Sequence, residues 1–228
     1  MGREIHERVG NKMDWSGKRG QWFGDSISEQ DGKPYSDTGE IAIGYQTLVK
    51  RALGFSHLEN LAISGRPVAN GSANGSGTVS TVLEEYIPSD LVVIAGGTND
   101  YRLDRKIGKI RKEGFDEDTF IGAFQTAIEH IKKTNPNQVI VLMAPLQRDK
   151  DGYNCQNPNL IGNYLRDYVR AILEIGNYYD LPVWNGYEKS GVNEANVGQF
   201  TYDGLHLNNK GYERVCASLI VFLERLNC

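Results

Sequence analysis

Trp22-Phe23-Gly24-Asp25-Ser26-Ile27 is a short apolar approach followed by Gly-Asp-Ser, the pattern of a strand that delivers a serine into a tight turn. A serine hydroxyl is a poor nucleophile until a base takes its proton. Ser26 therefore matters to chemistry only where a base, an orienting acid and oxyanion donors lie elsewhere in the chain. Candidates exist for each. Near the C-terminus, Asp203-Gly204-Leu205-His206 sets a carboxylate and an imidazole three residues apart, close enough on one turn for the acid to hold the ring. In the middle, Gly96-Gly97-Thr98-Asn99-Asp100 follows the apolar run Leu91–Ala95, where a loop asparagine, Asn99, can present its amide to a bound carbonyl.

Outward from Ser26 the chain alternates between two periodicities. Gln21-Trp22-Phe23 is a short strand with a polar approach at Arg19-Gly20, less aliphatic than a strand buried on both faces of a parallel sheet. Ile41, Ile43, Tyr45, Leu48, Val49, Ala52 and Leu53 recur at roughly helical spacing and stop at Gly54. Leu58–Ile63 reads as a second strand, ending in Ser64-Gly65-Arg66-Pro67. The Gly/Ser/Asn stretch Asn70–Gly77 then reads as a loop, either a plain connection or a substrate-contacting edge.

Thr78–Tyr86 reads as a helix and Leu91–Ala95 as a fully buried strand. Tyr101–Glu117 is a long polar excursion. Asp118 or Thr119 caps a helix to Lys133, and Val139–Ala144 is the next buried strand. After a second excursion, Gln147–Asn157, a helix is expected from about Asn159 to Tyr179 and a short strand over Leu181–Asn185. A loop over Gly186–Tyr202 leads to a terminal helix starting at Asn208 or Asn209. Met1–Arg19 carries at most a helical turn near Glu4–Asn11.

Strands alternating with helices imply an α/β fold, a parallel sheet covered by helices on both faces. Ligands of such sheets bind beyond the carboxyl ends of the strands. Ser26, Gly65 and Asn99 each follow a predicted strand directly, so the fold brings all three to one edge.

The 228 residues suit one α/β domain. A formal charge of -4 gives no electrostatic footprint for nucleic acid. The basic run Lys106–Lys112 is answered at once by Glu113, Asp116, Glu117 and Asp118, which reads as a solvated loop. Cys155, Cys216 and Cys228 are odd in number and lack metal-like spacing, which argues for reduced thiols and against a zinc site. No apolar run approaches the ~18 residues of a membrane span, and the polar opening lacks the apolar core of a signal peptide. The chain as given reads as cytoplasmic, or as a piece of an exported or phage-particle protein.

Gly-Asp-Ser after the first strand, Gly65 after the second, Gly-x-Asn-Asp after the third and Asp-x-x-His before the last helix recur in a set order. With Trp15-Ser16-Gly17-Lys18, Gly122-Ala123-Phe124, Ala144–Arg148, Tyr164–Ile172 and Asp203–Tyr212, this set resembles the SGNH (GDSL-type) hydrolases. The likeness is to a subgroup of GDSL-like lipase/acylhydrolases in bacteria and their phages. It covers about Trp15 to Cys228, so residues 1–14 are expected to be an extension or linker and 15–228 the hydrolase domain.

The resemblance implies a three-layer α/β/α sandwich with a parallel, flavodoxin-like five-stranded sheet. It implies Ser26 as nucleophile, His206 as general base and acid, and Asp203 as the residue that orients His206. The oxyanion hole would be the backbone N–H groups of Ser26 and Gly65 with the Asn99 amide. No metal or other cofactor is expected. Glycine at 65 suits a close backbone approach, and Asp25 and Asp100 read as structural hydrogen-bond acceptors. Arg148 is expected either to contact an anionic or sugar group or to form an ordinary salt bridge. His6, His57 and His130 have no partner motif.

The expected activity is a serine esterase that removes a small acyl group, such as acetyl, from a carbohydrate or similar alcohol. Two alternatives stay open: a lysophospholipase or thioesterase of the same fold, and a glycan-binding module built on that scaffold. The sequence leaves the oligomeric state open.

Overall fold

The computed structural model describes residues 12–71 and 75–226. The chain runs through β1 (Arg19–Phe23), α1 (Ser26–Glu29), α2 (Tyr45–Leu53), β2 (His57–Asn60), α3 (Thr78–Glu85) and β3 (Leu91–Ala95). It continues with α4 (Thr98–Arg102), α5 (Phe120–Thr134), β4 (Ile140–Met143), β5 (Asp149–Lys150) and β6 (Tyr153–Asn154). The last elements are α6 (Leu165–Tyr179), β7 (Val183–Trp184), α7 (Gly186–Lys189), α8 (Val197–Phe200) and α9 (Asn209–Glu224). The helical turn expected over 4–11, together with His6 and Cys228, lies outside the described residues.

The main sheet is parallel and five-stranded, in the order β2-β1-β3-β4-β7. Its two faces are separate cores, as the twofold period of a strand requires. Trp22, Val93, Val141 and Trp184 face one way and pack with Tyr45, Val49, Tyr212 and Leu219 of α2 and α9. Phe23, Val92, Ile94 and Leu142 face the other way, against Val79, Phe124, Ile128 and Ile172 of α3, α5 and α6. This is the three-layer α/β/α architecture.

β1 is five residues long and lies inside the sheet, between β2 and β3, although its first half is polar. Gln21 is buried because its whole amide is used. Nε2 donates to Glu59 Oε2 and to the Glu85 carbonyl, while Oε1 accepts from Ile87 N. Those three partners come from β2 and from the end of α3, so the reason a glutamine fits there is tertiary.

Helix boundaries shift where a cap decides them. α2 begins at Tyr45 and not at Ile41, because Ile41 pairs with Pro34 in an isolated bridge. α6 begins at Leu165 and not near Asn159, because Asp167 accepts from Tyr164 N in a capping box. The stretch Gly186–Tyr202, expected to be loop, contains α7 and α8. The excursion Gln147–Asn157 contains the hairpin of β5 and β6.

Cys155 and Cys216 are free and buried. Lys106, Lys109, Arg111 and Lys112 are exposed, as expected of a solvated loop. No described helix is long and apolar enough to cross a membrane.

The strand order reverses direction at β1, with β2 on one side and β3 on the other. A crevice opens at such a switch point, beyond the carboxyl ends of the strands. The segments that leave β1 and β3 there carry Ser26 and Asn99.

Candidate active site

Ser26 is the first residue of α1, and Asp25 caps that helix by accepting from Ile27 N at 3.0 Å. The cap fixes the turn, so the serine is held on a short helix and not on a free loop. Asn99 likewise lies in α4, a correction to the loop expected there. Its Nδ2 donates to the Arg66 carbonyl at 3.1 Å, and its Oδ1 is approached by the Arg102 guanidinium at 3.4 Å. The amide is thus turned with its NH2 toward the Gly65-Arg66 segment.

Gly65 has φ 73°, and a Cβ there would have nothing within 4 Å. The left-handed backbone by itself calls for glycine there. Among the described residues, neither Ser26 N nor Gly65 N has an acceptor.

The Asp203–His206 segment is a loop closed at its neck. Thr201 bridges to Leu207, Tyr202 N donates to the His206 carbonyl, and Asn208 caps α9 through Gly211 N. Within it, Asp203 Oδ1 accepts from His206 N at 2.8 Å and Leu205 N at 3.1 Å. Asp203 Oδ2 lies 2.7 Å from His206 Nδ1, and His206 Nε2 lies 2.9 Å from Ser26 Oγ across 180 residues of sequence. The Tyr202 ring stacks on the imidazole.

Burial pushes the Asp203 carboxyl up. The hydrogen bonds from His206 and Lys150 outweigh it and hold the group well below the usual carboxylate range. An ionised carboxylate can only accept, so Nδ1 is the nitrogen that carries a proton, and in the neutral ring Nε2 is then the one that accepts from Ser26. That is a hydroxyl, a base and an anion in one line.

Ser26, Ser64, Gly65, Asn99 and His206 line one cleft of about 210 Å³, joined by Arg102, Arg148, Lys150 and Asp151. A wider hollow of about 390 Å³, lined by Arg19, His57 and Glu59 among others, sits at the opposite ends of the strands and holds none of these groups.

Residues 22–214 match the GDSL-like lipase/acylhydrolase family. The chain belongs to that family. It is a serine ester hydrolase. A protein from Lactobacillus plantarum is similar in structure, at 23% identity and a TM-score of 0.77, covering 93% of this chain and 99% of that one. A possible lipase from Chitinophaga pinensis is 22% identical, with a TM-score of 0.69 and coverage of 90% and 96%. A mutant of an acetyl-xylooligosaccharide esterase from Geobacillus stearmophilus is 18% identical, with a TM-score of 0.64 and coverage of 92% and 96%. At these identities the likeness is one of fold. No curated protein matches the sequence.

Two other acids of this GDSL-family hydrolase lie beneath the cleft. Burial raises the Asp25 carboxyl against the pull of Ile27 N–H, His206 and Arg148. Burial also pushes Asp100 up to about 6, although Val68 N and Ala69 N both donate to it. Asp100 thereby anchors the chain just after Gly65, the acceptor role expected of it.

Arg148 departs from the ordinary salt bridge expected of it, although it lines the cleft. Its side chain is wholly buried and donates to Thr98 Oγ1 and to the Thr98, Tyr153 and Lys150 carbonyls. Among the described residues it has no carboxylate partner. It is a scaffold for the loop, fastening the hairpin to the start of α4.

Sequence reasoning passed over Lys150, which pairs with Asp203, and Arg102, which contacts Asn99. Asp203 is 53 residues from Lys150, so spacing offers no sign of that pair.

Proposed function

We propose that Ser26 is the nucleophile, His206 the general base and acid, and Asp203 the orienting residue of an esterase for short acyl groups, with O-acetyl groups on carbohydrate as the substrate class. The single observation that supports the casting most is the chain of contacts from Ser26 Oγ through His206 to Asp203, at 2.9 and 2.7 Å.

In the proposed reaction His206 Nε2 takes the Ser26 hydroxyl proton as Oγ adds to the ester carbonyl. The negative charge then falls on the former carbonyl oxygen, where Ser26 N, Gly65 N and Asn99 Nδ2 are the available donors. Each such donor contributes on the order of 3–4 kcal/mol. His206 returns the proton to the departing alkoxide and leaves an acyl group on Ser26. Water, giving its proton to His206, then releases the acid and restores the serine.

The substrate class is supported by the size and lining of the cleft. A space of about 210 Å³ bounded by serines, arginines, a lysine and an aspartate suits a small acyl group on a hydrophilic alcohol. The fold shared with an acetyl-xylooligosaccharide esterase agrees with that reading.

A series of p-nitrophenyl esters of rising acyl length tests it. Acetate is expected to be turned over best, and a strong preference for chains beyond about eight carbons overturns the assignment in favour of a lysophospholipase or thioesterase. Labelling by a fluorophosphonate in the native protein but not in Ser26→Ala tests the nucleophile. Absence of any adduct on the native protein points instead to a binding module.

A further inference from the structure

Lys150 ends β5 and sets its Nζ on Asp203 Oδ2, the same oxygen that faces the Nδ1–H of His206. Exposed ion pairs contribute little, because long side chains pay entropy and water screens them. This one is different in its mounting. The Lys150 and Asp203 side chains are only 27% and 22% exposed. The strand carrying Lys150 is pinned to the Asp203–His206 loop by Asp149 N, which donates to the Gly204 carbonyl at 2.8 Å. On its other flank the buried Arg148 guanidinium crosses the hairpin to Tyr153 O and anchors it to Thr98. The backbone that carries the ammonium is thus fastened on both flanks.

We propose that Lys150 is a positioning residue of this hydrolase, which by sharing Oδ2 with His206 holds Asp203 in register and restrains how strongly that carboxylate favours the protonated ring. The inference rests on the casting of Ser26, His206 and Asp203 given above. The ring must gain and lose a proton in each half-reaction, so anything that over-stabilises its cationic form traps the enzyme with no base. An aspartate alone pulls toward the cation. A second cation on the same carboxylate opposes that pull, because two positive charges a few ångströms apart repel.

Other charged and titratable groups also face the ring. Tyr202 and Asp203 come from its own loop, Asp25 from the turn after β1 and Arg102 from α4. Arg148, Lys150 and Asp151 come from the hairpin and its approach. Of these cations Lys150 is the one in contact with Asp203.

The test is the pH profile of kcat/KM with p-nitrophenyl acetate for the native protein, Lys150→Met and Lys150→Arg. Removing the ammonium favours the imidazolium, so the acid limb of the methionine variant is expected to move up by about one pH unit. At a pH on that limb this is about a tenfold loss of rate. The arginine variant, which keeps the charge, is expected to bring the limb back toward its native place.

A methionine variant whose limb does not move overturns the proposal, even when its rate falls equally at every pH, since that is what a purely structural lysine would give. Should Lys150→Met not fold, Lys150→Gln is read in the same way. NMR titration of the His206 ring in Ser26→Ala, with and without Lys150→Met, reads the same shift without turnover, and an unmoved titration there also overturns it. Full turnover by Ser26→Ala overturns the casting itself. An intact profile with an unmoved limb removes only the role of Lys150.

Discussion

The carbonyl oxygen of Asp149 stands 1.9 Å from the point a Cβ on Gly204 would occupy, and Gly204 itself has φ 84°. The hairpin and the catalytic-loop candidate therefore meet backbone to backbone. Gly204→Ala must both strain a left-handed residue and push the two segments apart. A loss of about 1–3 kcal/mol in stability is expected, together with at least a tenfold fall in kcat. Thermal melting and steady-state kinetics check it; native values for both would mean the contact is dispensable.

Asn99→Ala removes a side-chain donor while leaving Ser26, His206 and Asp203 untouched. If Asn99 serves the developing oxyanion, kcat falls by about 10²–10³ with KM little changed. A rise in KM alone would place the amide on the substrate's ground state.

Asp203→Asn keeps the shape of the loop and removes the anion. The ring is then free to take the wrong tautomer, and a fall of about 10³–10⁴ in kcat is expected. Stability carries a second signature. Because the folded carboxyl is held below its unfolded value of about 3.9, its contribution is present above that pH and fades as pH falls below it. Melting temperatures of the native protein and the asparagine variant should therefore converge in acid, and a gap that does not vary with pH would contradict this.

Asp100→Asn places an NH2 where one of two backbone N–H groups must be received, at Val68 N or Ala69 N. The unpaired donor costs about 1–3 kcal/mol. The native carboxyl, raised to about 6, keeps its proton in the folded state where the unfolded chain has lost it. The stability it contributes therefore declines as pH rises from about 4 to 6. Melting of the two proteins across that range is expected to show their difference narrowing.

Gln21→Leu tests the sheet apart from the chemistry. The substitution leaves Ile87 N without its acceptor and Glu59 without its donor, at a cost of about 1–3 kcal/mol. Specific activity of the folded protein is expected to stay near native, as read by chemical denaturation alongside ester turnover.

What could be read from sequence divides along the range of the forces involved. Leu91–Ala95 is apolar throughout because helices cover both of its faces, so its period and length announce β3 residue for residue. The ends of α5 and α9 are announced by local caps at Thr119 and Asn208. β1 is only half legible, since Gln21 is satisfied by residues far along the chain. α1 and α4 are too short to show a helical period.

The hairpin is a different kind of miss. Asp151 and Gly152 have φ 54° and 79°, and an Asp-Gly pair is the strongest short sign of a two-residue hairpin turn. The signal is present inside a stretch otherwise read as an excursion. For the candidate site, Ser26, Gly65, Asn99 and His206 are legible as a set because each follows or precedes a regular element, whereas Lys150 meets Asp203 across 53 residues and Arg102 meets Asn99 within a helix too short to show a period.

At the far side of the molecule Trp15 Nε1 donates to the Leu223 carbonyl, Met13 N to the Glu224 carbonyl, and Lys12 pairs with Glu224. The stretch that enters the fold is therefore stitched beside the stretch that leaves it. A short linker across that seam, with a new opening cut in the exposed turn near Gly114, would give a circularly permuted chain. The order of Ser26 and His206 along the polypeptide would then be free to change while their meeting in space was kept.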